Sequence, residues 1–328
     1  MSILITGAGL VGTMAAARLI AEGLDKPILY DVAFATDTLK NWLNLEEVAI
    51  VHGDINDLPD LIRSIKDNGV DRIIHTAALH TGEVRERPFT GARVNLMGTI
   101  AVLEAARLTG IKRVVFCSSA TIYLGLKELP PDGILHEDFS PKVLSEYPPS
   151  VYASLKLATE WVAYHYRAEY GLDFIAIRLA GVFGPWSGIL SSPSQLIKRI
   201  VESAWFSRPC EITTGEMARG GADFVYCRDA GQATVRAAFA TAPQTRAYNI
   251  AMGRHYSVQE IIETVEKVIG RKVELNILEG GTSDRYDNKA GVLDISRARA
   301  ELGYEVEFPM DEAIKDYSHR LAKDFPRT

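Results

Sequence analysis

Residues 2–12, SILITGAGLVG, decide the fold. An apolar run closes at Thr6, and glycines follow at Gly7, Gly9 and Gly12. Helix formers occupy 13–21, and Gly23 is placed to stop a helix. Strand, glycine turn and helix in that order make a phosphate grip. Gly7 permits the tight turn, Gly9 lets the backbone approach a pyrophosphate, and Gly12 lets helix and strand pack closely. The new helix offers free N–H groups and a positive dipole end. Alone the pattern also fits a flexible apolar N-terminus, so the residues that follow must decide.

They continue the rhythm. Strands are predicted at 27–30, 48–51, 72–75, 114–117 and 174–178, with helices at 58–66, 93–108 and 152–169. Strands alternating with helices predict an α/β fold, a Rossmann-type doubly wound parallel sheet that binds ligands beyond the carboxyl ends of its strands. The rhythm breaks after Arg178 at GVFGPWSGILSSPS, a Gly-, Pro- and Ser-rich loop. The expected division is a dinucleotide-binding domain of 1–178 plus about 223–245, and a smaller C-terminal substrate-binding lobe of about 179–222 plus 246–328.

Of 328 residues, 47% are hydrophobic and 24% charged, enough for a core without covalent staples. A net charge of -6 argues against nucleic acid or an anionic membrane as the main partner. Three scattered cysteines, Cys117, Cys210 and Cys227, form no disulfide framework and suit a reducing compartment. No basic stretch precedes the first apolar run, and none reaches membrane-spanning length. The expectation is a cytoplasmic protein without a metal site.

Asp31 closes the second strand about twenty residues after the glycine turn, where a carboxylate accepts from both ribose hydroxyls of adenosine. It would repel a 2′-phosphate, and no basic residue adjoins it, so NAD is favoured over NADP. Asp54, at the end of the third strand, is a candidate for the adenine amino group. Tyr152 and Lys156, in YASLK, share one helix face. A phenol of pKa about 10 is a poor base at neutral pH. A neighbouring ammonium and a cationic nicotinamide would favour the phenolate, which could take a proton from a substrate hydroxyl. Upstream, Ser118, Ser119 and Thr121 put hydroxyls at a strand end, where one can orient the reacting oxygen.

In order, the chain carries the glycine turn, Asp54-Ile55, HTAALH, RVNLMGT, SSAT, YASLK, RLAGVFGP, DFVYCRD, YNIAMGRHYSVQEI and DISRARAELGY. This set resembles the extended short-chain dehydrogenases/reductases of the NAD-dependent epimerase/dehydratase family over nearly the whole chain. The resemblance implies a catalytic triad of Ser119, Tyr152 and Lys156. It places the cofactor against Gly7, Gly9, Leu10, Val11, Gly12, Asp31, Asp54, Ile55, Ala77, Ala78, His80, Asn95, Cys117, Tyr152, Lys156, Leu179 and Val182. Substrate contacts fall on His80, Ser119, Thr121, Gly181 and Arg219, with Tyr123 a further polar candidate at the pocket mouth. His136, Trp186 and Trp205 are read as incidental or packing residues. A homodimer through helices 93–108 and 152–169 is also implied.

Departures from the family pattern matter. The glycine turn is one residue shorter than the usual TGxxGxxG. Gly181 stands where many nucleotide-sugar enzymes carry an Asn, which weakens the case for a nucleotide sugar. Ser119, Ala120 and Thr121 offer no carboxylate for eliminating water, which argues against a 4,6-dehydratase. The preferred reading is a dehydrogenase moving hydride between NAD and a secondary alcohol of a sugar acid, lactone or polyol. The alternatives are a nucleotide-sugar epimerase with tightly held NAD and a non-catalytic NAD(P)-binding sensor.

Overall fold

The computed structural model describes residues 2–123, 130–139, 150–188, 190–218, 220–280 and 291–324. The chain begins β1 (Ser2–Thr6), α1 (Leu10–Ala21), β2 (Lys26–Asp31), α2 (Thr36–Lys40), β3 (Ala49–His52), α3 (Leu58–Asp67) and β4 (Val70–His75). It continues with α4 (Thr81–Glu86), α5 (Pro88–Ala92), a π-helical turn (Arg93–Gly98), α6 (Thr99–Thr109) and β5 (Arg113–Ser119). A short 3-10 turn (Ala120–Tyr123), β6 (Ile134–Leu135), α7 (Val151–Tyr170), β7 (Phe174–Leu179) and β8 (Gly181–Phe183) follow. Then come α8 (Ser192–Phe206), β9 (Cys210–Thr213), α9 (Thr214–Ala218), β10 (Phe224–Tyr226), α10 (Cys227–Phe239) and β11 (Ala247–Ile250). The last elements are α11 (Val258–Ile269), β12 (Leu275–Leu278), β13 (Val292–Leu293), α12 (Ser296–Leu302) and α13 (Met310–Asp324).

Seven parallel strands in the order β11-β7-β5-β4-β1-β2-β3 form the central sheet. Helices cover both faces, so the inner strands are continuous apolar runs rather than alternating ones; every residue of β7, FIAIRL, is buried. Strand order reverses between β1 and β4, and that switch opens a crevice at their carboxyl ends. The fold is therefore the expected Rossmann-type α/β sheet. One boundary differs: β11, which the division assigned to the smaller lobe, is the edge strand of the main sheet, paired with β7 from Ala247↔Ala176 to Ile250↔Leu179.

Two apolar clusters flank the sheet. One joins Leu4, Ile73, Val102, Phe116 and Phe174 under α3, α6 and α7. The other joins Ile3, Ile5, Ala15, Leu19, Val115, Ile177 and Ala230 under α1 and α10. A third core unites Phe183, Ile197, Ile200, Ile261, Val265, Ile314 and Tyr317 beneath α8, α11 and α13. Its periodicity is helical: in α11 the buried residues Val258, Ile261, Ile262, Val265 and Ile269 form one stripe, and Ser257 with Glu260 makes the capping box that starts the helix. The pairs β8–β10, β9–β12 and β6–β13 are short parallel ladders outside the main sheet. Among the described residues, no helix is long and apolar enough to cross a membrane.

Candidate active site

The glycine turn joins β1 to α1 at the crevice. Gly7 adopts φ +93, in the left-handed region that favours glycine. A Cβ on Gly12 would lie 1.9 Å from the Gly7 carbonyl oxygen, so a side chain there would push strand and helix apart. Gly9 is different: a Cβ there would meet nothing within 4 Å. The space beside Gly9 is open, as a pyrophosphate lying on the backbone requires. No side chain caps α1, which has no acidic residue in its first turn. As at any helix start, the N–H groups of Leu10, Val11 and Gly12 lack intrahelical acceptors. The helix begins at Leu10, three residues before the predicted start, so these donors belong to the turn itself.

Asp31 ends β2 beside this turn. Its Oδ2 accepts from the Ala8 N–H at 2.7 Å and its Oδ1 from the Ala33 N–H at 3.2 Å. The carboxylate thus braces the glycine turn, with lone pairs left over for a ribose. Asp54 Oδ1 accepts from the Asn56 backbone at 2.9 Å and from its side chain at 2.8 Å, which shapes the turn after β3. Ile55, next to it, is buried.

Across the switch point, Thr76 and Ala77 donate backbone N–H bonds to the Thr6 carbonyl at 2.8 and 2.9 Å. Asn95 fixes the rest of this loop. Its Oδ1 accepts from the Leu79 N–H at 2.8 Å, and its Nδ2 donates to the Leu79 carbonyl at 2.9 Å. The buried Asn95 sits in the π-helical turn, a widening often found at functional sites. His75 bonds Thr6 at 2.6 Å and Thr99 at 3.0 Å, tying β1, β4 and α6 together. Burial holds its pKa down to about 3, so the ring is neutral. His80 follows the loop, is exposed, and its N–H is held by Glu83 at 3.0 Å. Desolvation by the surrounding protein pushes its pKa down, against the pull of Glu83, with Lys156 adding to the fall.

Ser119, Tyr152 and Lys156 come together from β5 and α7. Ser119 Oγ accepts from the Thr121 N–H at 3.2 Å and the Thr121 hydroxyl at 3.0 Å. Its own proton is therefore left to donate, and the Tyr152 hydroxyl lies within its reach. Lys156 Nζ donates to the Cys117 carbonyl at 2.7 Å and sits 5.7 Å from the Tyr152 ring centre. Burial pulls the ammonium down to about 8, with Cys117 and Glu160 opposing the shift. Burial also pushes the Tyr152 phenol up to about 12. This reverses the expected direction for Tyr152: in the protein alone, desolvation outweighs its neighbours.

Other predicted residues scatter more. Cys117 is buried and meets the site through its carbonyl. Leu179 and Val182 lie at the end of β7 and in β8; Gly181 pairs with Phe224 in the β8–β10 ladder. Arg219 lies outside the described residues. Tyr123 is not at a pocket mouth: it is buried, with its hydroxyl bonded to Asn249 at 2.9 Å and Arg178 at 2.7 Å. His136 pairs with Asp294 at 2.8 Å, and Trp186 and Trp205 are buried. The motif reading missed Glu160 and Arg178, a buried ion pair at 2.7 Å directly behind the triad. The available signals were a carboxylate one helical turn past Lys156 and a lone Arg in an apolar strand.

An open, N–H-lined glycine turn, an acidic strand end and a Ser-Tyr-Lys cluster over one crevice fit a dinucleotide and define a nicotinamide-dependent enzyme of Rossmann type. The model of the NAD dependent epimerase/dehydratase family matches residues 3–251, and the chain belongs to that family. Its cofactor is NAD. The chain is 30% identical over 326 residues to the UDP-glucuronate 4-epimerase of Thermodesulfobacterium geofontis, covering 95% of this chain and 93% of that protein. The crystal structure of UDP-glucose 4-epimerase from Brucella ovis in complex with NAD superposes with a TM-score of 0.80 at 25% identity, over 97% of each chain. The UDP-N-acetylglucosamine 4-epimerase of Methanobrevibacter ruminantium, in complex with UDP-N-acetylmuramic acid, has the same fold, with a TM-score of 0.83 at 23% identity over 99% of each chain. The Thermodesulfobacterium relative is an epimerase by name, not a dehydrogenase.

Proposed function

We propose that this enzyme is a nucleotide-sugar 4-epimerase that oxidises the sugar hydroxyl transiently and returns the hydride to the opposite face. The carrying observation is full-length similarity to a UDP-glucuronate 4-epimerase combined with a Ser119–Tyr152–Lys156 cluster at the crevice. Held there, NAD would supply a reversible hydride acceptor and the positive charge of an oxidised nicotinamide. Tyr152 takes the hydroxyl proton as the C–H electron pair leaves and the C=O bond forms. Ser119 donates to the reacting oxygen and orients it. The Lys156 ammonium stabilises the phenolate, offsetting the burial that holds the phenol near 12. Reversal of these transfers on the other face, with Tyr152 returning its proton, inverts the centre without net redox change.

Asp31, Ala77, Ala78, Asn95 and the glycine turn hold the cofactor, and His80 with Thr121 faces the sugar. The same reading includes a homodimer through α6 and α7. Trp161 is 73% exposed on α7, and Met97 and Leu108 are exposed on the neighbouring helical segment.

Gly181 favours the second reading, a dehydrogenase acting on a smaller sugar derivative, because it removes a side chain from the substrate side. Incubation with UDP-glucuronate, UDP-glucose and UDP-N-acetylglucosamine, followed by chromatography and NADH absorbance, separates the two. The 4-epimer should form without accumulating NADH. Sustained NADH release with an aldonate or lactone, and no epimer, would overturn the proposal. Tyr152→Phe should abolish turnover while binding NAD nearly as the native enzyme does.

A further inference from the structure

Glu160 lies on α7 one turn beyond Lys156 and two beyond Tyr152, and is 1% exposed. Its carboxylate is fully engaged. Oε1 accepts from the Ser118 hydroxyl at 2.5 Å and Arg178 Nε at 3.1 Å; Oε2 accepts from Arg178 Nη2 at 2.7 Å. Ser118 stands between Cys117, whose carbonyl holds Lys156, and Ser119. Arg178 lies opposite Ser118 in the β5–β7 ladder. Its Nη1 donates to the Tyr123 hydroxyl at 2.7 Å and the Glu137 carbonyl at 2.8 Å. Tyr123 ends the 3-10 turn that carries Thr121. One ion pair thus joins the helix bearing Tyr152 and Lys156, the strand bearing Ser119, and the turn bearing Thr121.

A buried ion pair is poor value as a source of stability, because desolvation consumes most of its Coulomb gain. Its placement points to another role. We infer that Glu160 is a positioning residue for proton transfer: with Ser118 and Arg178 it fixes α7 against β5 and holds a carboxylate one helical turn from Lys156. This rests on the triad assigned above.

The ionisable groups around Lys156 make the charge argument specific. Tyr152 and Glu160 share its helix, the Cys117 thiol and carbonyl face it from β5, His75 from β4 and His80 from the following loop, while Arg178 on β7 acts through Glu160. His75 is neutral, and Glu160, ion-paired with Arg178, is the carboxylate in the set. Removing its charge leaves Arg178 uncompensated behind the ammonium and favours the neutral amine.

The test titrates the NAD-loaded enzyme containing isotope-labelled lysine, with the Lys156 resonance assigned by its loss in Lys156→Arg. In Glu160→Gln the Lys156 midpoint should lie about one unit below the native one. The kcat profile of Glu160→Gln should lose its alkaline side over the same interval, with KM changed less than twofold. Ser118→Ala, which removes one hydroxyl and no charge, should lower kcat about tenfold without moving the profile. It also keeps the test decisive should Glu160→Gln fail to fold. An unshifted Lys156 midpoint in Glu160→Gln, or native kcat in Ser118→Ala, would overturn the inference. The titration needs no substrate, so it stands apart from the proposed reaction, which turnover by Tyr152→Phe would refute on its own.

Discussion

Gly9 and Gly12 are both glycines of one turn, yet the structure gives them opposite reasons for lacking a side chain. Gly9 has ordinary extended backbone, φ -78 and ψ -168, and its Cβ would enter open space. Gly9→Ala should therefore leave the unliganded fold within about 0.5 kcal/mol of native. Its methyl group would instead occupy the surface on which a pyrophosphate lies. A loss of tenfold or more in NAD affinity is expected, about 1.4 kcal/mol. At NAD concentrations near a hundred times the native Kd, ligand binding adds about 2.7 kcal/mol to stability, so roughly half of that increment should vanish. Gly12→Ala behaves differently. Its Cβ would sit 1.9 Å from the Gly7 oxygen and 2.8 Å from Thr76 Oγ1, so backbone has to retreat. Overpacking of this kind costs about 1–3 kcal/mol, which lowers Tm by several degrees with or without ligand. Thermal unfolding with and without NAD, together with fluorescence titration, reads both variants. Native NAD affinity in Gly9→Ala would refute the placement of the phosphates, and an unchanged apo Tm in Gly12→Ala would refute the packing argument.

Three further predictions address other parts of the fold. Asn95→Ala strands the N–H and carbonyl of Leu79, and unsatisfied buried groups cost about 1–3 kcal/mol each; a lower Tm and weaker NAD binding should appear together, and native values of both would contradict the loop-holding role. Asp229, fully buried on α10, accepts from the Phe308 N–H at 3.1 Å with Oδ2, while its Oδ1 has no partner among the described residues, and burial pushes its pKa up to about 7. A folded-state pKa raised above the unfolded 3.8 gives stability that is full below about pH 4 and lost as pH rises through 7. Asp229→Asn should therefore gain Tm relative to native as pH rises from 5 to 7.5, and a constant difference would sink this account. Trp161→Glu should convert a dimer into a monomer by light scattering; a native protein already monomeric at micromolar concentration would end the dimer proposal.

Local features of the fold were legible before the structure. The glycine turn, Asp31 and the Tyr152–Lys156 spacing are short-range patterns whose geometry follows from one turn or one helical repeat. Long-range features were not. β11 is four residues whose register partners in β7 lie 71 positions earlier, Ile250 beside Leu179, a pairing no local period encodes. The π-helical turn at Arg93–Gly98 looks in sequence like ordinary helix, yet it sets where Asn95 meets Leu79. The rise in the Tyr152 pKa came from burial, which a motif does not report. Preference for a dehydrogenase rested on Gly181 alone, one position weighed against similarity along the whole chain.

The placement of β11 has a consequence for how the chain is made. During synthesis β7 emerges with its outer edge unpaired, and its neighbour follows only after β8, α8, β9, α9, β10 and α10 have been made. Until then an apolar strand with free backbone groups is available to any other chain. The nascent enzyme must hold that edge through about 70 residues of translation, some seconds at ordinary elongation rates. Substitutions that slow the docking of Tyr248 and Ile250 into the core under α1 and α10 would lengthen this interval and lower yield without touching any residue of the crevice.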